Sequence, residues 1–322
     1  MMRMRKVDLS TFLLSVVAAV STAGEPAPVA RIDTHIHLYD PGRPEGVGWP
    51  PKDNATLYFK HLLPDFLQVS RPVGVTHAII VEASEWESDN DWVLNLTEKS
   101  PELLGVIGNL DPRSPTFQTV LEQLCKHREF LGLRLRRSEA ILLSTPEVDA
   151  NFGSLARHGR VLELLVPKNS ADDATAFALR HPDLKVIIDH VAGAVLRDGK
   201  TEPAWEDGVR KLAACPRVHC KLSGFYPASA PNGKAASLDL ETYRPIFEFL
   251  WQAFGRERLF FGSNWPVSDM GGPYAPTFRL VEQFAREKGG EEAVQDLLCR
   301  NALRVYGIDP SRLSETKKEG QP

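Results

Sequence analysis

Cysteine is scarce in this chain. Only Cys125, Cys215, Cys220 and Cys299 occur in 322 residues, and none forms a CxxC pair. That excludes a disulfide scaffold or a cysteine zinc module, and the four are expected to act as small buried hydrophobes. Basic residues are not in excess either. The 38 Lys and Arg against 42 Asp and Glu leave a net charge of −4, so neither nucleic acid nor an anionic membrane surface is an expected partner. No glycine-rich phosphate loop follows the first strand-like run, which argues against a nucleotide-binding doubly wound sheet. No apolar run reaches the roughly 20 residues of a membrane span. What remains, 43% hydrophobic and 25% charged residues, is the makeup of an ordinary globular chain.

The first residues read as a targeting segment. Arg3, Arg5 and Lys6 precede the short apolar run Leu9 to Val20, and Ser21-Thr22-Ala23 follows with small side chains. This order is that of a secretory signal, so residues 1–23 are expected to be a signal peptide and the protein exported, periplasmic or secreted. Residues 24–30 form a linker, 31–307 a single domain, and 308–322 a polar, frayed tail.

From Arg31 onward, eight short apolar runs alternate with amphipathic stretches: 31–37, 78–83, 103–110, 131–136, 161–166, 185–190, 218–223 and 259–264. Several are apolar on both faces, as buried parallel strands are. Eight strand–helix units over this length match an α/β fold of the (β/α)8 TIM-barrel type. The Pro- and Gly-rich stretch Tyr39–His61 is expected to loop over the barrel mouth.

Function in such a barrel gathers where strands end, and those ends are polar here. Alternation places Asp33, His35 and His37 on one face of the first strand. Two imidazoles one pleat apart can reach one metal ion or one substrate oxygen. Strand six adds His190, read as lying on the face of Ile188. Strand four turns Arg134 and Arg136 inward and its leucines outward, strand seven turns Lys221 inward, and Glu82, Glu163 and Asn264 come from strands two, five and eight. Inward charges are costly unless they pair with one another or with a ligand.

The segments "RIDTHIHLYDPGRPEGVGWPP", "IIDHVAG", "CKLSG", "LFFGSNWPV" and "NALRVYG" resemble the amidohydrolase-related family of (β/α)8 hydrolases. The similarity is greatest to its branch of sugar-lactone and dicarboxylate-lactone hydrolases. The resemblance implies that His35, His37 and His190 polarise a substrate carbonyl, directly or through one divalent metal such as zinc, with a metal-free site as the alternative. Family members carry GSDWP at the last strand, where the aspartate is general base and often a ligand. This chain has Asn264 there, and an amide cannot take a proton near neutral pH.

Three readings follow from that departure: another carboxylate (Glu82 or Asp33) is the base, a metal-bound hydroxide attacks, or the site only binds a sugar acid. The resulting expectation is a hydrolase opening a small polar cyclic ester, with a metal-dependent non-oxidative decarboxylase as the rival enzyme class. Arg134, Arg136 and Lys221 are expected to hold anionic substrate groups, Trp49 and Trp265 to wall the pocket, and Asn264 to hydrogen-bond the substrate. The partner is a small molecule, and the oligomeric state stays open.

Overall fold

The computed structural model describes residues 30–136, 143–166, 171–229 and 235–315. The expected signal segment 1–23, the linker up to residue 29 and the last seven residues lie outside the described residues.

Eight strands form the sheet: β1 (Ile32–Ile36), β2 (His77–Val81), β3 (Leu103–Gly108), β4 (Phe130–Leu135), β5 (Val161–Leu164), β6 (Lys185–Ile188), β7 (Val218–Leu222) and β8 (Leu259–Phe261). Each pairs in parallel with the next. The ring closes just above β8. His37 N donates to Trp265 O (2.8 Å) and Asn264 N donates to His35 O (2.8 Å). The fold is thus a (β/α)8 barrel, and its closing seam carries the first-strand histidines.

Residues on the outer strand faces, among them Ala78, Ile80, Leu133, Leu162, Val186 and Leu259, pack against the surrounding helices. Helices Asp89–Glu98, Phe117–Leu124, Ala171–Arg180, Pro203–Ala213, Leu240–Phe254 and Tyr274–Gln295 occupy the stretches whose periodicity predicts them. Two others, Leu63–Ser70 and Pro146–Gly153, are not legible in the sequence. Each opens with a proline in its first turn, which reads as a breaker and masks the short helical pattern that follows.

The lower barrel interior is filled by Ile32, Ile79, Val81, Leu104, Ile107, Leu131, Val161, Ile187 and Phe260. From below it is plugged by Cys299, Ala302, Val305, Tyr306 and Ile308. The expected frayed tail is therefore corrected for its first part. Ile308 joins the interior cluster, residues Pro310–Ser314 form a 3-10 turn, and buried Arg312 donates to Leu104 O (2.5 Å). The driving force is closure of the barrel floor, which a polarity count of the tail does not reveal.

Two further expectations fail because strand alternation slips. In β1 the register shifts between Asp33 and Ile36. Ile32 consequently packs inside the barrel, while Ile36 packs outside. Asp33 thus leaves the histidine face: its carboxylate accepts from Tyr274 Oη (3.0 Å), Ser263 N (2.9 Å) and His35 N (3.1 Å). A similar shift where β3 meets β4 puts Leu131 inside, whereas Leu133 and Leu135 face out.

Candidate active site

Three imidazoles meet at the upper end of the barrel. The His35 ring lies 5.0 Å from that of His37 and 4.5 Å from that of His190, centroid to centroid. His35 and His37 arrive by alternation above the β1 irregularity. His190 arrives by a different route from the one its spacing suggests. Ile188 faces outward and Ile187 inward, so alternation brings Asp189 into the centre and turns His190 away. The backbone then runs through three left-handed residues, His190, Val191 and Ala192 (φ 52°, 48° and 55°), which swings the His190 ring back. Each non-glycine residue in that conformation costs about 1–2 kcal/mol. Hydrogen bonds to Ser223 Oγ hold the turn, from His190 N at 3.2 Å and to ring Nδ1 at 3.0 Å. Gly224 (φ 52°) leaves room for the ring, since a Cβ there would stand 2.5 Å from His190 Nδ1.

His37 has a defined tautomer. Burial, reinforced by the Arg134 charge, pushes its pKa down to about 3, so the ring is neutral. Nδ1–H donates to Val81 O (3.0 Å), leaving the lone pair on Nε2. The Asn264 Oδ1 atom sits 3.2 Å from that nitrogen, and the amide has to be turned over to present its NH2 there, because only the donor end complements a lone pair. Asn264 adopts φ 63°, a conformation that Asn and Asp tolerate best among non-glycine residues, which explains how either residue can serve at this turn.

The buried charges beneath the rings are paired with one another. Lys221, fully buried, donates to Glu163 Oε2 (2.7 Å) and Thr34 O (3.0 Å), and its Nζ lies 3.3 Å from His35 Nδ1. Tyr306, from the barrel plug, donates to the other oxygen of Glu163 (2.6 Å). Burial and Lys221 together hold His35 well below the usual histidine range. On the far side, Glu82 accepts from Arg134 Nε (2.7 Å) and Arg136 Nε (3.1 Å) at one oxygen and from Arg136 at the other.

This corrects four expected roles. Glu82 is a poor candidate base because both its oxygens are engaged by guanidinium groups. Arg134, Arg136 and Lys221 are not placed to clamp a substrate anion, since doing so would break a buried ion pair, at a cost of about 3–5 kcal/mol. Arg134 nevertheless keeps NH1 3.5 Å from His35 Nε2, at the edge of the site. Asp33, bonded to Tyr274 on the helix side, is not available as a base either. Trp49 stands beside His37, ring centroids 5.8 Å apart. The Trp265 ring instead packs in the outer core against Phe66 and His61, and only its backbone meets the site, through the bond to His37 N. The loop Tyr39–His61 is pinned at its ends by paired hydrogen bonds between these two residues.

Asp189 is the group that sequence reasoning passed over. Its side chain is buried, and neither carboxylate oxygen has a hydrogen-bond partner among the described residues. Lys221 Nζ and His35 Nδ1 lie 3.4 and 3.5 Å away without hydrogen-bond geometry. Burial alone would raise its pKa, but Lys221 and His35 outweigh burial and hold it well below the carboxylate range. Its signal was adjacency to His190 in "IIDHVAG". His35, Asp189 and His190 each place a ligand atom within 4.8 Å of the others. Two imidazoles and a carboxylate that makes ion pairs but no hydrogen bond among the described residues fit a divalent ion. The expected trio is therefore altered, with Asp189 in the group and His37 outside it.

A family model described as amidohydrolase matches residues 32–308. The chain belongs to the amidohydrolase family. This amidohydrolase is 27% identical over 285 residues to the L-fucono-1,5-lactonase of Burkholderia ambifaria, covering 87% of this chain and 96% of that one. It is 28% identical over 293 residues to the enzyme of the same name from Burkholderia multivorans, covering 86% and 96%. Among solved structures, an amidohydrolase from Burkholderia multivorans with bound zinc superposes with a TM-score of 0.78 at 24% identity, covering 87% of this chain and all of that one, which bears on the fold.

Proposed function

We propose that this amidohydrolase is a lactonase that opens a small, uncharged cyclic ester of the sugar-lactone type. The observation that carries the reading is the convergence of His35, His37 and His190 over a layer of mutually paired charges. Two relatives named L-fucono-1,5-lactonase support the same chemistry. With Arg134, Arg136 and Lys221 already paired, a neutral lactone suits the site better than a dicarboxylate one. A non-oxidative decarboxylase is disfavoured because Asn264 replaces the strand-eight carboxylate that such enzymes need by family resemblance.

The division of labour follows from the tautomers. Lys221 beside His35 Nδ1 makes that nitrogen the acceptor, so Nε2 carries the proton, and Arg134 NH1, 3.5 Å from it, turns toward a bound substrate oxygen to give two donors to one atom. An oxygen seated between them, first the carbonyl and then the oxyanion, receives both hydrogen bonds. Once water displaces Asn264 from His37 Nε2, that nitrogen takes a proton from the attacking water as the new C–O bond forms, its low basicity at rest offset by the negative charge developing on the neighbouring oxyanion. When the ring C–O bond breaks, His37 returns the proton to the departing ring oxygen, giving the hydroxy acid.

A divalent ion held by His35, Asp189 and His190 would add Lewis-acid polarisation and a more acidic bound water. Zinc is the ion suggested by the zinc-bound relative. Replacing a charged ligand by Asn264 and keeping an ammonium beside Asp189 both weaken the attraction for it. The order of basic, apolar and small residues over 1–23 supports export.

The test is acid release from a panel of aldonolactones by purified enzyme before and after chelation. His37→Gln is expected to lower kcat by about 10²–10⁴-fold, the range for a positioned proton acceptor, with lactone KM little changed. A His37→Gln enzyme of undiminished kcat would remove His37 from the chemistry. Absence of acid release from every lactone would overturn the lactonase assignment.

A further inference from the structure

A recess opens beside the imidazoles, between Gly224–Pro227 after β7 and Ser263–Gly271 after β8. Its volume is about 220 Å³, and its walls include Phe225, Tyr226, Val267 and Met270. Two residues of the candidate active site form its inner boundary. Asn264 touches His37, and Gly224 backs directly onto the His190 ring. The recess therefore adjoins the candidate site through Asn264, with Gly224 standing between it and the His190 ring. Ser268 lines it too, buried and with its hydroxyl unpartnered among the described residues.

An apolar cavity of about 150 Å³ is enough to hold a benzene ring. Asn264, which touches His37, also lines this space, so a substituent carried past Asn264 enters it, and water filling an apolar recess is readily displaced by an apolar group. We propose that the recess holds the non-reacting substituent of the substrate, and that this substituent is apolar and of aryl or branched-alkyl size. The proposal rests on the lactonase reading and narrows its substrate class: beside the hydroxyls of a sugar-type ring, the preferred lactone carries one bulky apolar arm, with at most one polar atom on that arm to meet Ser268.

The experiment compares δ-valerolactone with the same lactone bearing a phenyl group on the carbon next to the ring oxygen. The phenyl compound is expected to show kcat/KM higher by about 10-fold or more, the scale on which apolar pockets discriminate. Met270→Asp should abolish that advantage while leaving δ-valerolactone hydrolysis within about two-fold. Met270 is half exposed, so the change is compatible with folding, and a melting curve verifies this. In parallel, crystals of the wild-type enzyme soaked with 4-bromobenzyl alcohol should show the bromine anomalous peak between Phe225 and Val267. Equal rates for the two lactones, or an equal loss on both in Met270→Asp, would overturn the proposal. Should neither lactone react, the aldonolactone panel decides the lactonase reading, and the bromine alone decides the recess: a peak there supports an aryl-binding site, and none overturns it.

Discussion

The two ends of this barrel are built to opposite rules. The floor is apolar and fully packed, with Cys299, Ala302, Val305 and Ile308 closing on Ile32, Leu104 and Phe260. The mouth gathers three imidazoles, a carboxylate lacking hydrogen-bond partners and a run of left-handed backbone. Between them lies the Tyr306–Glu163–Lys221 layer, in which each charge has a counter-charge. The contrast teaches where the molecule spends stability. Packing and pairing below hold in place the strained and under-satisfied groups above, as expected where chemistry needs a preorganised polar centre.

The sharpest way to break that comparison is to empty the layer between the two ends. Lys221→Met leaves Glu163 and Asp189 buried without their cation and should lower stability by about 3–5 kcal/mol, read from urea midpoints. Adding Glu163→Gln should restore part of the loss. If Lys221→Met is neutral, the layer does not support the mouth.

A smaller effect is expected from Gly224→Ala. The left-handed φ costs about 1–2 kcal/mol, and the new methyl collides with the His190 ring. Because a misplacement near 1 Å can cost about 10²-fold, kcat should fall by about that factor while the melting temperature drops only modestly. Full activity would mean that His190 is not held against this wall.

The smallest effect concerns the floor. His219 is pushed down to about 4, by burial first, with Arg258, Lys185 and Arg304 adding to it. The unfolded chain therefore binds more protons than the folded one between pH about 4 and 6.5, and stability rises with pH across that window. His219→Gln should flatten this rise in a plot of melting temperature against pH, with lactone hydrolysis at neutral pH unchanged. A slope identical to wild type would show that His219 is not the group responsible.

Much of the architecture was legible beforehand because burial leaves a periodic trace. All eight strand runs, six of the surrounding helices and the gathering of His35, His37 and His190 at one barrel end follow from it. Whatever depended on a break in the period was not legible. One extra residue in β1 sends Asp33 to Tyr274, and the turn after Asp189 exchanges the faces expected for Asp189 and His190. Pairing was equally hidden. Glu82, Arg134, Arg136 and Lys221 read as inward charges, but only their mutual distances assign them to one another rather than to a substrate.

By itself, then, the sequence determined a (β/α)8 barrel, its strand order and the chemical types of side chain that crowd its mouth, because repeating patterns of apolar residues encode which face is buried. The tertiary structure alone decided which of those side chains are free to act. A hydrogen bond or ion pair between residues 52 to 241 positions apart is fixed by ångström-scale geometry, to which a one-dimensional pattern is blind.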